Sequence, residues 1–257
     1  MIVKPLQLLI DADMVVFQAC SAVEKEIDWG DDMWTLHADA TEAKQIVDAK
    51  VQSLVEKVLN HFDHTGAYDI ILCFSGDKNF RYSVLSTYKS NRKGKRKPIC
   101  YKAVVQWCKE NYETTIKENL EADDCLGILA TINEGNAVII SGDKDMKQIP
   151  GRFYDFSREE FYNHSKEEAD YWFLYQCLVG DATDGYSGCP GIGDKTAIKL
   201  LDTEGASWQT VVNAYEKKKI SEEEALRQAR VARILRKSDY NFKTKQPILF
   251  EAKEEAD

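Results

Sequence analysis

An α/β fold, with a central and mainly parallel sheet flanked by helices, is what this sequence predicts, and three observations predict it. Short apolar runs, Leu6–Ile10, Ile70–Phe74 and Ala137–Ile140, alternate with longer stretches that carry apolar residues at helical spacing. Apart from Gln7 the runs are apolar, as strands buried on both faces are. Each ends in acids: Asp11 and Asp13, then Asp77, then Asp143 and Asp145. Open parallel sheets bind ligands outside the carboxyl ends of their strands, so the acids mark the functional edge.

The elements follow in order. After the first strand, MVVFQACSAVE reads as a helix and IDWGDDMWTLHAD as a small hairpin or loop. Residues 40–62 form an amphipathic helix, and Ile70–Phe74 a second strand closing on Ser75, Gly76 and Asp77. Pro98 starts a helix over ICYKAVVQWCKEN, and ETTIK is a short strand. A helix over 121–132, the strand 137–140 and a strand near Phe153–Phe156 come next. Helices are expected around Ala169–Leu178, after the Gly-Ile-Gly turn, and over 206–217 and 221–237, the last presenting Arg227, Arg230, Arg233, Arg236 and Lys237. QPILFEA closes the chain as a strand or strap, and EAKEEAD is a frayed tail.

Bulk properties narrow the class. With 257 residues, 44% hydrophobic and 30% charged, the chain can bury a sizeable core and is neither disordered nor membranous. No apolar run spans a membrane, and the N-terminal stretch lacks the features of a signal peptide. The seven cysteines show no metal or disulfide spacing and point to a reducing, cytoplasmic compartment. The four histidines are too scattered for zinc; His61 and His64 share a helical face but lack a third ligand. A net charge of −9 argues against nonspecific coating of nucleic acid, yet bound divalent ions would cancel part of it.

The chemistry concentrates in LEADDCLGILA, residues 120–130. Glu121, Asp123 and Asp124 fall within four positions, where like charges repel unless a cation sits among them. A first helical turn tolerates one or two acids, but here Asp181 and Asp184 add another pair, at a helix end that disfavours them. Together these are a dispersed acidic site suited to divalent metal. YKSNRKGKRKP, residues 88–98, places Lys89, Arg92, Lys93, Lys95, Arg96 and Lys97 with no acid between them. Such a loop is either solvated and flexible or a grip for a polyanion, and its place after an acidic strand end favours the grip. Tyr82 and Tyr88 flank it and could stack on unpaired bases. Finally, GCPGIGDKTAIKLL couples a Gly191–Gly193 turn to a helix with Lys195, Thr196 and Lys199, a weak phosphate signal alone but a helical hairpin for a duplex backbone in context.

Taken together these motifs resemble the 5′-nuclease superfamily of flap endonucleases and 5′→3′ exonucleases, and within it the small phage exonucleases. LLIDAD is similar to the opening strand with its metal aspartate, Asp11, and CFSGD to the second, Asp77. YKSNRK resembles the base of the family's helical arch, mapping to Tyr88, Lys89 and Arg92 as catalytic residues. LEADD, SGDKD and GDATDG are similar to the remaining acidic motifs, giving Glu121, Asp123, Asp124, Asp143, Asp145, Asp181 and Asp184 as metal ligands. Two features differ: the basic stretch is short and contains a glycine, where flap endonucleases often carry a long helical arch, and Asp13 stands where many relatives have a polar non-acid.

The resemblance implies a PIN-like, 5′-nuclease fold with a C-terminal helix–three-turn–helix subdomain. The division expected is a catalytic core over 1–180, with a basic arch at 80–100, and a DNA-binding subdomain over 181–257. It implies two divalent cations, Mg²⁺ or Mn²⁺, with K⁺ at the helical hairpin. DNA binding falls to Lys93, Lys95, Arg96, Lys97, Gly191, Gly193, Lys195, Thr196 and Lys199. The partner implied is DNA with 5′ ends or single/double-strand junctions, or an RNA–DNA hybrid, handled by a monomer in the cytoplasm (the host's, if phage-encoded). A PIN-type ribonuclease would lack the basic arch and the helical hairpin. A non-catalytic binder of branched DNA would not need so many carboxylates.

Overall fold

The computed structural model describes residues 4–92 and 94–252. Its central sheet has six strands in the order β5-β4-β1-β6-β7-β8, with β1 Leu6–Asp11, β4 Tyr68–Phe74, β5 Glu113–Ile116, β6 Ala137–Ser141, β7 Gly151–Asp155 and β8 Glu160–His164. All neighbours are parallel except β7 and β8, an antiparallel hairpin at the edge. Strand β8 was not foreseen: GRFYD and EFYNH mix charged and aromatic residues, and one edge face stays open to solvent.

Strand β1 sits between β4 and β6 and feeds both layers. Its Leu8 and Ile10 face one core, built with helices α1 (Ala12–Val23), α2 (Ala40–His61) and α4 (Tyr101–Asn111). Leu9 faces the other, covered by α5 (Ala122–Ile132) and by Ile234, Leu235 and Tyr240. Side chains alternate across a strand, so one apolar run serves two cores. The segment Glu24–Ala38 is a hairpin, β2 Glu24–Asp28 against β3 Trp34–Ala38, that leaves Trp29 and Trp34 exposed. A single turn, α3 (Arg81–Val84), follows β4.

A third core joins α6 (Lys166–Val179), α7 (Asp194–Glu204), α8 (Trp208–Glu216) and α9 (Glu222–Ala232). The cores therefore do not divide at residue 180. Helix α6 contributes Phe173 and Cys177 to the helical unit, whereas Ile234 and Leu235 return to the sheet. The expected helix over 221–237 stops at Ala232 for the same reason. Its arginines are not all surface charges: Arg233 binds Asp239 at 2.8 Å and Arg236 binds Asp170 at 2.6 Å, both largely buried. The returning chain passes so close to α5 that a Cβ on Gly127 would overlap the Leu235 carbonyl oxygen. Short strands β9 (Tyr240–Asn241) and β10 (Gln246–Pro247) finish the strap; most of the expected frayed tail lies outside the described residues.

Candidate metal centre

Asp11 closes β1 and caps α1. Its Oδ1 accepts the Met14 N–H at 3.2 Å, and its Oδ2 accepts the Ser141 hydroxyl at 2.8 Å. Burial pushes its pKa up to about 6, against the pull of those two hydrogen bonds. Ser141, fully buried at the end of β6, also accepts the Asp143 N–H at 3.1 Å, and so ties the two strand ends together. From the sequence the strand is expected to end at Ile140, and Ser141 is not singled out.

Around Asp11 the other acids gather from distant parts of the chain. Asp123, in the first turn of α5, is raised well above its usual range by burial and by the charges of Asp11, Asp143 and Glu121. Asp143 is raised by burial and by Asp184 and Asp181, and Asp145 is pushed up to about 7 by burial and by Asp143. Asp143, Asp145, Asp181 and Asp184 line one cleft of about 380 Å³ with Arg92. Asp181 folds its own loop, accepting the N–H groups of Thr183 at 2.6 Å and Asp184 at 3.2 Å. Asp13 is held behind the cluster by the Ser75 N–H at 3.0 Å and the Tyr101 hydroxyl at 2.7 Å.

The basic loop reaches into this cluster from one side. Lys89 has a positive φ of 49°, costly for a residue with a Cβ, and its N–H donates to the Asp184 carbonyl at 2.7 Å. Its ammonium binds Glu121 and lies 3.5 Å from Asp184. Arg92 binds Asp184 at 2.8 Å. The Tyr88 hydroxyl lies 2.8 Å from Glu121 and 3.1 Å from Asp184. Burial alone would raise Glu121, but Arg81 and Lys89 outweigh it and hold the carboxyl low.

Several expectations are corrected. Asp124 is no free ligand: fully buried, it takes the Arg81 guanidinium on both oxygens, at 2.7 and 2.8 Å, and accepts the Leu235 N–H. Asp77 lies beyond β4, exposed, with no hydrogen bond or ion pair among the described residues, and nothing ties it to the cluster. Tyr88 is only 2% exposed and cannot stack on a base, whereas Tyr82 is half exposed. Arg96 is spent on a two-pronged pair with Glu24 at 2.6 and 2.9 Å. Lys97 sits 4.1 Å over the Tyr101 ring, Lys95 is exposed, and Lys93 lies outside the described residues. Arg81 was missed altogether; its partners Asp124, Val231 and Arg233 are far away in sequence.

Away from the cluster, the Gly191–Gly193 turn opens α7. Gly191 has φ +76°, which favours glycine; Gly193 is extended and faces open space. Ile192 and Ala197 point into the helical core, leaving Gly191, Gly193, Lys195, Thr196 and Lys199 exposed. No side chain caps this helix, and while the Thr196 N–H turns back to the Gly193 carbonyl at 3.0 Å, the Asp194 and Lys195 N–H groups have no partner among the described residues.

The donor set tests the metal reading. Its ligands are carboxylate oxygens, suited to hard cations, and several buried acids are destabilised by one another's charge. Among the described residues, no three His, Cys, Asp or Glu side chains converge closely enough to hold one ion as they stand.

A profile described as the N-terminal resolvase-like domain of 5′-3′ exonucleases matches residues 7–170. The exodeoxyribonuclease of Enterobacteria phage T3 is 31% identical, covering 95% of this chain and 92% of that protein. The exonuclease of Escherichia phage T7 is also 31% identical, over the same shares. The fold is shared with phage T5 5′-exonuclease bound to zinc, at a TM-score of 0.65, 17% identity and 89% coverage of each chain. A phage T5 flap endonuclease in a pseudo-enzyme–product complex with DNA and metal ions also superposes at 0.65, with 18% identity and 89% coverage of each chain.

Proposed function

The chain belongs to the 5′-3′ exonuclease family, and we propose that it hydrolyses DNA phosphodiester bonds at 5′ ends and single/double-strand junctions with bound divalent cations. The observation that carries this reading is the gathering of Asp143, Asp145, Asp181 and Asp184 in one cleft with Arg92, beside the buried Asp11 and Asp123, which both feel the charge of Asp143, and Lys89, whose ammonium lies 3.5 Å from Asp184.

Asp11, Asp123 and Asp143 would hold one ion, and Asp145, Asp181 and Asp184 a second, each set partly through waters. Mg²⁺ or Mn²⁺ fits the all-oxygen donors. When bound, such ions supply Lewis acidity and a water nucleophile at neutral pH. Lys89 and Arg92, which neutralise Glu121 and Asp184, stand ready to turn toward a phosphate and stabilise the charge it gains in the transition state. Tyr88 and Arg81 position Glu121 from behind. Glu121 in turn orients Lys89.

The exposed turn at Gly191–Gly193 and the first N–H groups of α7 would grip the duplex backbone, with Lys195, Thr196 and Lys199 beside them. A K⁺ ion held by that turn would add a further positive charge. Lys95 and Lys97 face solvent and could meet the substrate, whereas Arg96 fixes the loop to the hairpin β2–β3. Among the described residues, no helix is long and apolar enough to cross a membrane, and all seven cysteines are free and buried. We place the activity in the cytoplasm, acting as a monomer during DNA replication.

The test compares a 5′-labelled duplex, a matching 5′-flap duplex and a single strand, each with and without Mg²⁺. Mononucleotides from the duplex identify an exonuclease, and an intact released flap identifies a flap endonuclease. The absence of any metal-dependent cut would overturn the reading.

A further inference from the structure

Arg158 stands on the β7–β8 turn, across β1 and β6 from the basic loop. The turn is fixed from beneath. Asp155, whose side chain is fully buried, accepts the N–H groups of Ser157 and Arg158 at 2.9 and 3.1 Å and the Arg158 guanidinium at 2.8 Å. The turn also lies against Gly142, where a Cβ would overlap Ser157 and Phe156, so it is seated directly on the residue before Asp143.

The contact with Asp155 engages one guanidinium nitrogen. Among the described residues no acceptor takes the others, which keep the geometry for a phosphate. Arg158 lines the same cleft as Asp143, Asp145 and Asp184, with Lys144 beside it. Lys147 continues the line: burial and then the Arg158 charge push its pKa down, and its ammonium sits 4.4 Å over Tyr162 and 4.8 Å over Trp172. Trp172 packs at 5.3 Å on Tyr175, whose hydroxyl donates to Asp194 at the head of α7 at 2.7 Å.

These contacts run from the metal centre to the Gly191–Gly193 turn. We propose that Arg158, Lys144 and Lys147 form a second phosphodiester-binding strip, holding the DNA backbone between the cleavage site and the helical hairpin. Three neighbouring cations on a chain of net charge −9 suit a ligand that carries several anions. This strip rests on the nuclease reading and extends it to the wall that the basic loop does not reach.

The experiment measures binding of a fluorescent 5′-flap duplex in EDTA at several salt concentrations, with cleavage followed in Mg²⁺. Arg158→Ala should lower the slope of log affinity against log salt by about 0.9, the value for one phosphate contact, with the loss in cleavage falling on KM rather than kcat. Arg158→Lys should restore most of the slope. Because Arg158→Ala leaves the buried Asp155 without its cation, Lys147→Ala is measured in parallel and should lower the slope similarly. Unchanged slopes in folded variants, with wild-type cleavage normal, overturn the strip alone. A wild-type protein that cuts none of the substrates overturns the nuclease reading beneath it.

Discussion

The Arg81 guanidinium and the Asp124 carboxylate form a two-pronged pair, at 2.7 and 2.8 Å, with neither side chain more than 3% exposed. The pair pins α3 to α5, and Arg81 also donates to the Val231 and Arg233 carbonyls at the end of α9. Removing one partner strands a buried charge, which costs about 3–5 kcal/mol. Asp124→Ala should lose stability on that scale in urea unfolding, while the folded fraction still binds Mn²⁺. Native stability with lost metal binding would return Asp124 to the metal centre.

Asp143→Asn should abolish cleavage while leaving duplex binding in EDTA largely intact, since binding rests on cations elsewhere. Turnover near that of the wild type would remove Asp143 from the site.

Lys89→Ala should slow cleavage by about 10²–10³-fold, the usual cost of losing one group that stabilises transition-state charge. Duplex affinity should fall far less. Equal losses in kcat and affinity would make Lys89 a docking residue.

In the metal-free protein, Asp11 and Asp145 keep their protons up to about pH 6 and 7, above their unfolded values. The folded chain then binds more protons than the unfolded one between about pH 4 and 7, so these groups withdraw stability as pH rises through that window. The loss should be on the order of 3 kcal/mol from Asp11 and 4 kcal/mol from Asp145. Chemical unfolding in EDTA across the window checks it: Asp145→Asn should flatten the decline, and Mg²⁺ should offset it. A wild-type curve that the variant reproduces would contradict the assignment.

Gly127→Ala tests the returning chain. Alanine improves helix propensity by about 1 kcal/mol, but its Cβ would collide with the backbone of Leu235, and overpacking costs about 1–3 kcal/mol. Net destabilisation is expected in thermal unfolding, together with faster proteolysis near residue 235. A more stable variant would show that the strap can shift without cost.

Legibility in the sequence followed the range of each interaction. Strands β1, β4 and β6 announced themselves as near-continuous apolar runs, and acids after Ile10 and Ile140 marked the edge where Asp11, Asp143 and Asp145 now meet. Asp123 and Asp124 are adjacent and chemically alike, so only a distant arginine separates the one in the cluster from the one in a structural pair. Arg96 looked like its basic neighbours until Glu24, 72 positions away, claimed it. Strand β8 lacked a clean period, and α9 ended early because Ile234 and Leu235 are drawn to a core the local pattern does not reveal.

The place of β1 has a consequence for the timing of synthesis. The first strand made must wait for both neighbours, since β4 begins at Tyr68 and β6 ends at Ser141. At ribosomal speeds of about 5–20 residues per second, roughly 6–26 s separate Asp11 from the hydroxyl that fixes it. Until β6 is made the strand can pair along one edge only, with β4, and its other edge stays open.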